Sequence, residues 1–350
     1  MELKMKRVPP DQFLLRSILK RVSRSFYLTL GVLPKSVRNQ VGLAYLFARA
    51  ADTIADTGKL DQKTRLVCLG RLKAQFGDGG VNFQDITDIQ TMTAPNQSNP
   101  IEKILIEELG HCFSLYQHLN SQDQNRIASL LPTLIEGMEF DQVQFKESER
   151  GEVVALPTLN ELDYYTYAVA GCVGAFWTKM MCAHLSNLSD WDQTLMVPMG
   201  IRYGKGLQLV NILRDLPQDL RKGRCYIPLS LLQEVRLQPK DLLDKERFSV
   251  LRPILRRLIL VARDHLDQGW QYTMAIPRIE IRLRLACMWP ILIGMRTLNL
   301  LAESSNALDP RRPLKVSRPE VYRMIAATTL SGGCGYVGTA YWGYLRKRVV

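Results

Sequence analysis

Residues 41–56 read Val-Gly-Leu-Ala-Tyr-Leu-Phe-Ala-Arg-Ala-Ala-Asp-Thr-Ile-Ala-Asp. Only Arg49, Asp52 and Asp56 carry a charge, and together with Tyr45 they fall at offsets 0, 4, 7 and 11. Residues at those offsets share one stripe of an α-helix, while the remaining faces of this helix are apolar. The stretch therefore predicts a largely buried helix with a single polar stripe.

The two carboxylates on this helix indicate a cation site. Asp is a poor residue for a helix interior, and a buried carboxylate is costly unless it is paired or bound to a cation. Asp52 and Asp56 are four residues apart, so their carboxylates lie about 6 Å from each other and can hold a hard cation such as Mg²⁺. Taken alone, an Asp-x-x-x-Asp pair is also typical of an ordinary solvated helix face.

A second acidic stripe makes the cation site the better interpretation. Residues 206–219 read Gly-Leu-Gln-Leu-Val-Asn-Ile-Leu-Arg-Asp-Leu-Pro-Gln-Asp. Four polar residues again share one helical stripe, at offsets 0, 3, 7 and 11: Gln208, Asn211, Asp215 and Asp219. Two such stripes facing each other would neutralise a diphosphate through bridging Mg²⁺. Pro217 should disturb this helix, which would put Asp219 past a kink or in a new turn.

Two further segments offer phosphate ligands. Residues 221–228 read Arg-Lys-Gly-Arg-Cys-Tyr-Ile-Pro, and Arg can hold phosphate oxygens in a bidentate fork. A solvated charge run is the alternative for that segment. Residues 23–26, Ser-Arg-Ser-Phe, offer two hydroxyls and a guanidinium, or else an ordinary helix cap.

Composition bounds the class of protein. The 350 residues are 46% hydrophobic, with 46 Lys and Arg against 34 Asp and Glu, a net charge of +12. This excludes wholesale disorder and suits anionic partners: nucleic acid, phosphorylated small molecules or an acidic membrane surface. Seven cysteines without a Cys-x-x-Cys pair indicate a reducing compartment, and the four histidines have no zinc-site spacing.

The pattern along the chain predicts an all-α protein with one large domain over residues 1–350. Apolar residues recur at three- and four-residue spacing in these ranges: 37–56, 101–119, 124–139, 162–185, 206–216, 248–270 and 281–301. Alternating strand patterns are scarce. Residues 77–100 are poor in aliphatic side chains, so we predict a long mobile loop there, and we predict a C-terminal helix over residues 324–350.

Three apparent signals are weighed and set aside. Residues 1–7 are basic but lead into Val-Pro-Pro, so we expect no signal peptide. Residues 324–345 are uncharged and long enough to span a bilayer, but their five glycines favour a buried or surface-lying helix. Residues 333–338 match Gly-x-Gly-x-x-Gly, yet they follow no predicted strand and no acidic residue lies about 20 positions later, which argues against a Rossmann dinucleotide site.

The motifs together resemble those of the squalene and phytoene synthase family, the head-to-head prenyl transferases. The resemblance rests, in order and spacing, on residues 23–26, 45–56, 163–174 and 211–228, and includes Val-Ala-Gly-x-Val-Gly at 169–174. It covers nearly the whole chain. It implies a single large helical domain of the isoprenoid-synthase type around a central cavity.

The resemblance also implies an activity. Two farnesyl diphosphates would condense with Mg²⁺ to presqualene diphosphate, a cyclopropyl compound, and NADPH would reduce this intermediate to squalene. Residues 285–298 and 314–318 are more similar to squalene synthases than to phytoene synthases. Ala55 and Thr57 stand where eukaryotic enzymes often carry further acidic residues, which resembles a bacterial member.

The roles that the resemblance assigns follow the motifs. The implied catalytic residues are Tyr45, Arg49 and Tyr165. The implied diphosphate-binding residues are Ser23, Arg24, Ser25, Phe26, Asn211, Arg214 and Arg224. The implied Mg²⁺ ligands are Asp52, Asp56, Asp215 and Asp219. The implied NADPH-binding residues are Lys315 and Arg318, which in the alternative interpretation belong to a solvated basic linker.

Two other functions stay open at this point. The first is a family member with another product: phytoene, dehydrosqualene or a squalene-pathway compound formed without the reductive step. The second is a basic helical protein that binds membranes or nucleic acid, which predicts a steep salt dependence, needs no Mg²⁺ and leaves the two acidic stripes unexplained. We expect a monomer that binds farnesyl diphosphate and no nucleic acid, and that lies peripherally on the cytoplasmic face of the membrane.

Overall fold

The all-α class predicted from the sequence is confirmed by a computed structural model, which describes residues 13–23, 26–146, 151–311, 314–331 and 335–349. Within these residues, strands are limited to two short segments, β1 (Val154–Ala155) and β2 (Arg224–Cys225), paired in parallel. The sequence predicts one domain, whereas the described residues fall into two compact units, Met1–Glu139 and Phe140–Val350.

The first unit consists of helices and their connections. Its helices are α1 (Leu19–Val22), α2 (Phe26–Val32), α3 (Lys35–Ala55), α4 (Gln62–Ala74), α5 (Phe83–Thr93), α6 (Pro100–Glu107), α7 (Leu109–Gln117) and α8 (Ser121–Gln144), the last of which ends in the second unit. A π-helical turn at Phe13–Ile18 precedes α1, and a 3₁₀ turn at Ala94–Asn96 follows α5. The single helix predicted over residues 101–119 is two helices, with Glu108 between them.

Helix α3 forms the centre of the first unit. The buried ring of Phe47 packs against Phe76, Phe113 and Tyr116, with ring centroids 5.1, 4.6 and 6.0 Å away. Such aromatic pairs add roughly 0.5–1.5 kcal/mol each beyond the burial of their area. Between residues 41 and 56, only positions 45, 48, 49, 52 and 56 keep appreciable exposure. The polar stripe that the spacing predicts is therefore present.

The long loop predicted over residues 77–100 is wrong, because α5 (Phe83–Thr93) and the 3₁₀ turn at Ala94–Asn96 lie within that stretch. The side chain of Asn82 caps α5 by accepting a hydrogen bond from the backbone N–H of Gln84. Ile86 and Ile89 are buried at a spacing of three, which gives the helix an apolar face. Few aliphatic residues were enough for a helix here because they all fall on one face.

The second unit is built around two long helices. Its helices are α9 (Leu159–Thr166), α10 (Cys172–His184), α11 (Gln193–Arg221), α12 (Leu229–Glu234), α13 (Phe248–Ala275), α14 (Ile281–Glu303), α15 (Arg318–Leu330) and α16 (Gly335–Arg348). A π-helical turn at Tyr167–Gly171 joins α9 to α10, and short 3₁₀ turns lie at Ser186–Leu188, Pro239–Leu243 and Lys245–Arg247. Helix α11 packs most extensively against α13.

The new turn predicted after Pro217 as one possibility is absent, since α11 continues through this residue to Arg221. A proline inside a helix costs about 3 kcal/mol because it removes one backbone hydrogen bond and crowds the preceding turn. Leu213, Leu216 and Leu220 are buried on either side of it, and burying one such side chain contributes about 1.5–3 kcal/mol. The shared apolar face offsets the cost and keeps Asp219 on the same helix as Asp215.

The single C-terminal helix predicted over residues 324–350 is two helices, α15 and α16. The sequence between them is rich in glycine, which after proline is the poorest residue for a helix interior. Within the described residues, one helix, α14, is long and apolar enough to cross a membrane, and 72% of its most apolar stretch is buried inside the protein. A core helix of a soluble protein would pass the same test.

Helices α10 and α11 touch backbone to backbone. A Cβ atom added to Gly174 would lie 1.9 Å from the carbonyl oxygen of Gly200, and one added to Gly204 would lie 2.2 Å from that of Ala170. The glycines of the Val-Ala-Gly-x-Val-Gly segment therefore serve close helix packing. This contact fixes α10 against α11, and α10 directly follows, along the chain, the π-helical turn after Tyr165.

We predict that Gly174→Ala destabilises the protein, because the added methyl must push two helix backbones apart. Overpacking of this kind costs about 1–3 kcal/mol. Gly343→Ala is the matched control, since nothing lies within 4 Å of a Cβ at that helical position. Urea unfolding of both variants measures the effect, and equal stability of the two would contradict the close packing.

Candidate active site

In the first unit, Arg49 is the centre of the polar stripe on α3. Its guanidinium donates hydrogen bonds to the carboxylates of Asp52 and of Glu102, a residue of α6. The side chains of Arg49 and Glu102 are about one-fifth exposed, at 22% and 19%. One cation is thus shared between two carboxylates in a partly desolvated setting.

The ends of the helices add to this negative charge. Asp52 lies in the last turn of α3 and Asp56 is its C-cap residue, while Asp219 lies in the last turn of α11. The C-terminus of a helix carries a partial negative charge, so a carboxylate there is destabilising where a cation would stabilise by roughly 0.3–1 kcal/mol. Acidic residues at these positions are the opposite of what helix stability favours. A bound cation would reverse the sign of the effect.

The other candidate residues of the first unit have local partners. The Tyr45 hydroxyl lies 3.4 Å from the backbone carbonyl of Val22, and the buried Ser23 hydroxyl donates to the carbonyl of Leu19. Ser23 thereby satisfies the end of α1, which is the capping role that the sequence left open. Arg24, Ser25 and the side chain of Phe26 lie outside the described residues.

In the second unit, the acidic stripe lies on α11. Asn211 donates to Gln208 at 3.4 Å, and Arg214 donates through two nitrogens to the carboxylate of Asp215. Burial raises the pKa of Asp219 to about 6, with the neighbouring carboxylates of Asp215 and Asp141 raising it and Lys222 and Arg224 lowering it. Asp219 is thus a carboxylate whose charged form lacks full compensation.

The end of α11 turns the chain toward a second group of polar side chains. Gly223 adopts a positive φ of 76°, a conformation that costs glycine little, and its N–H bonds to the carbonyl of Leu220. The chain then enters β2, which pairs with β1 in the register Val154 with Arg224. This short ladder brings Tyr226, just after β2, beside α9, which begins four residues after β1 at its Thr158 capping box.

The group so assembled is a buried hydrogen-bonded network. The rings of Tyr165 and Tyr226 stack with centroids 4.9 Å apart, and their hydroxyl oxygens are 3.4 Å apart. Tyr226 donates to one oxygen of Asp141, and Arg224 donates to the other at 2.8 Å. Burial chiefly, followed by Asp141, raises the pKa of Tyr165, and the Asp219 carboxylate also contributes. The network therefore lies within electrostatic reach of the acidic stripe.

Sequence reasoning missed Glu102 beside Arg49 in the first unit, and Asp141 and Tyr226 beside Tyr165 in the second unit. Tyr226 belongs to the basic segment at 221–228, but nothing in its spacing indicates that it stacks on Tyr165. Asp141 is one of four acidic residues of α8, and only the structure shows that it is buried, with 7% exposure. Glu102 looks like an ordinary first-turn acidic residue of α6, and only the fold places it beside Arg49.

The residues present fit Mg²⁺ bound together with a diphosphate. Among the described residues, no three His, Cys, Asp or Glu side chains gather into a ready metal cluster. Mg²⁺ usually takes one or two carboxylates and completes its octahedron with substrate phosphates and water. Asp52 with Asp56, and Asp215 with Asp219, each supply that number, and the raised pKa of Asp219 indicates a carboxylate that a cation would stabilise.

Lys315 and Arg318, the residues predicted to bind NADPH, lie at the start of α15. Both side chains are exposed, and Arg318 is the first residue of the helix, whose N-cap is Ser317. A helix N-terminus with two exposed cations suits phosphate oxygens. The residues therefore fit an anionic cofactor, and they lie apart in sequence from the two acidic stripes.

Comparison with known proteins gives a consistent family. Residues 19–320 match the family described as squalene/phytoene synthase. The chain is 24% identical over 330 residues to squalene synthase of Cyberlindnera jadinii, covering 94% of this chain and 69% of that protein. It is 26% identical over 283 residues to phytoene synthase of Arthrospira platensis, covering 79% and 78%.

Other relatives are longer proteins. The bifunctional lycopene cyclase/phytoene synthase of Podospora anserina is 29% identical over 267 residues, covering 74% of this chain but only 42% of that protein. Among solved structures, TcSQS in complex with BPH1237 matches with a TM-score of 0.77 and 21% identity over 97% of this chain and 91% of that one. A dehydrosqualene synthase complex matches with a TM-score of 0.63 and 20% identity over 92% and 96%. These structural likenesses show the fold.

Proposed function

The chain belongs to the squalene/phytoene synthase family, a family of prenyltransferases, and from this premise we propose that it joins two farnesyl diphosphates head to head. The product of this condensation is presqualene diphosphate, a cyclopropyl compound, and NADPH then reduces it to squalene. The observation that carries the proposal is the pair of acidic stripes on apolar helices, both within the matched residues. A membrane- or nucleic-acid-binding protein would have no use for these carboxylates.

The first step needs a leaving group to depart as an anion. When bound, Mg²⁺ would neutralise the diphosphate and so help it leave. The residues that would hold it are Asp52, Asp56, Asp215 and Asp219. Arg49, Arg214 and Arg224 supply guanidinium groups that suit diphosphate oxygens, although Arg224 already bonds to Asp141. Ser23, Asn211 and the residues at 24–26 remain proposed contacts to the same group.

The next steps pass through carbocations, which water would trap. The apolar faces of the long helices serve to exclude water, and aromatic faces stabilise cationic charge. Tyr165 and Tyr45 are the proposed groups for receiving a proton or orienting the diphosphate. Burial raises the pKa of Tyr165, so its hydroxyl stays neutral at physiological pH and cannot act as a tyrosinate.

The reductive step distinguishes squalene from other family products. When bound, NADPH would supply the hydride that quenches the last cation, and Lys315 and Arg318 are the proposed contacts to its phosphates. The alternative is a phytoene or dehydrosqualene synthase without this step. The matches to a phytoene synthase and to a dehydrosqualene synthase structure favour keeping that alternative.

The surface of the last two helices supports peripheral attachment to the cytoplasmic face of a membrane. Leu330 and Tyr336 are 88% and 86% exposed, and α16 ends in Arg346, Lys347 and Arg348. Basic residues beside an anionic leaflet are worth about 1 kcal/mol each. Release from membranes by high salt, without detergent, is the measurement that separates this attachment from a spanning segment.

We propose a monomer that binds no nucleic acid.

We predict that Asp52→Asn and Asp215→Asn each lower turnover of farnesyl diphosphate with Mg²⁺ at least 100-fold while the protein stays folded, because each removes one charge that neutralises the leaving group. Asp88→Asn and Asp264→Asn are the controls, since each also removes a carboxylate paired with an arginine. Product analysis of timed incubations measures the effect. Near-parental rates in both site variants at saturating Mg²⁺ would remove the metal assignment.

We predict that Lys315→Ala combined with Arg318→Ala spares the condensation and impairs the reduction. Presqualene diphosphate should then accumulate, or unreduced products should form, at NADPH concentrations that saturate the parent. Lys240→Ala with Arg256→Ala removes two exposed cations elsewhere in the same unit and should change neither step. A parent protein whose products are the same with and without NADPH would place it in the non-reductive alternative.

A further inference from the structure

Asp141 is a buried carboxylate that the mechanism above does not use. It lies in the last turn of α8 with 7% exposure, and its two oxygens accept hydrogen bonds from Tyr226 and Arg224. A buried carboxylate carries a large desolvation cost, and Arg224 provides the compensating charge. An ion pair with Arg224 alone would account for its charge, but not for the second hydrogen bond from a buried tyrosine.

The chemistry of the carboxylate fixes the direction of the hydrogen bonds that Tyr226 and Tyr165 donate. An ionised carboxylate only accepts, so the Tyr226 hydroxyl must donate its proton to Asp141. The Tyr226 oxygen is then free to accept, and Tyr165, 3.4 Å away, donates to it. As a result the Tyr165 proton points along the network toward Asp141. The remaining lone pair of Tyr165 is left to accept a proton from elsewhere.

The surroundings of Tyr165 connect it to the proposed metal and diphosphate site. Asp219, a proposed Mg²⁺ ligand, is close enough to Tyr165 to affect its pKa. The π-helical turn at Tyr167–Gly171 begins two residues after Tyr165, and turns of this kind are frequent at functional sites. Stacking on Tyr226 holds the Tyr165 ring in one orientation. Tyr165 is thus held in one orientation, within electrostatic reach of Asp219 and Arg224, two of the residues proposed to hold the metal and the diphosphate.

We propose that Asp141 is a positioning residue which, acting through Tyr226, holds Tyr165 as the proton acceptor of the condensation. This inference rests on the proposed function. In the step concerned, a C–H bond of the cationic intermediate breaks and its electron pair forms the last bond of the cyclopropane ring. The proton passes to the Tyr165 oxygen while the Tyr165 proton moves to Tyr226 and the Tyr226 proton to Asp141. The cation and the carboxylate both become neutral, and Arg224 stays charged.

The assignment differs from a purely structural role in what it predicts for the proton-transfer step. A structural network would affect folding and all steps alike. A network that sets the direction of proton transfer affects one step, and general acid–base groups typically contribute 10²–10⁴-fold to such a step. In other enzymes a buried carboxylate that orients its neighbour acts in the same way. The experiment must therefore report on C–H cleavage itself.

The test uses Tyr226→Phe, which keeps the ring stack but removes the hydroxyl, and Asp141→Asn, whose amide can donate as well as accept. Single-turnover formation of the cyclopropyl diphosphate is followed with farnesyl diphosphate and with substrate deuterated at carbon 1, the carbon that loses the proton. We expect both variants to form it at least 10-fold more slowly, with a primary deuterium isotope effect larger than that of the parent. Diphosphate release should continue and yield products of water capture or elimination.

Two comparisons make the result decisive. Asp267→Asn is the control, because Asp267 is also a largely buried carboxylate, 16% exposed, that pairs with an arginine of the same unit, Arg346, at 2.7 Å. This variant should keep the parental rate and the parental isotope effect. Tyr165→Phe should reproduce the isotope effect, and adding Asp141→Asn to it should cause little further loss. If Asp141→Asn fails to fold, the rate and the isotope effect of Tyr226→Phe test the proposal by themselves.

Parental isotope effects in the folded variants would overturn the role of Asp141 and leave the proposed function intact. A parent protein that releases no diphosphate and forms no product from farnesyl diphosphate and Mg²⁺ would instead overturn the proposed function, and this inference with it. The two failures are distinguishable because the second is seen in the parent before any variant is made.

Discussion

Carboxylates near the C-terminal ends of two long apolar helices are the constraint on which the rest of this protein depends. Helix dipoles disfavour negative charge at Asp52, Asp56 and Asp219, and burial also disfavours it at Asp219. Arginines on the same helices, Arg49 and Arg214, balance part of the charge. Under the proposed function, a cation-bound diphosphate would supply the positive charge that these helix ends favour.

The close packing of α10 against α11 restrains the position of one aromatic side chain, that of Tyr165. The glycines at 174 and 200 let α10 and α11 approach to backbone contact, and no larger residue fits there. The π-helical turn separates that contact from Tyr165 along the chain, so the helix packing restrains the position of Tyr165. The stacking of its ring on Tyr226 restrains the Tyr165 side chain further. A reactive cation needs its neighbours fixed, because misplaced groups allow other products.

The polar network beside Tyr165 is assembled from distant parts of the chain. Asp141 comes from the end of α8, Tyr165 from α9, and Arg224 and Tyr226 from the segment that follows α11. The two-residue ladder of β1 and β2 and the left-handed Gly223 bring these parts together. This very small amount of β-structure in a helical protein therefore determines where Tyr226 lies.

The sequence by itself determined the all-α class, the family motifs and the polar stripes, because helical periodicity and the cost of charged residues in apolar helices are local properties. It was wrong where local signals were weak or outweighed. Residues 77–100 form a helix on few aliphatic side chains, and α11 passes through Pro217 because buried leucines on both sides stabilise it. The partners Glu102 for Arg49 and Asp141 for Tyr226 and Arg224 were decided only by the tertiary structure. They lie between 53 and 85 residues away along the chain, and no periodicity reaches across that distance.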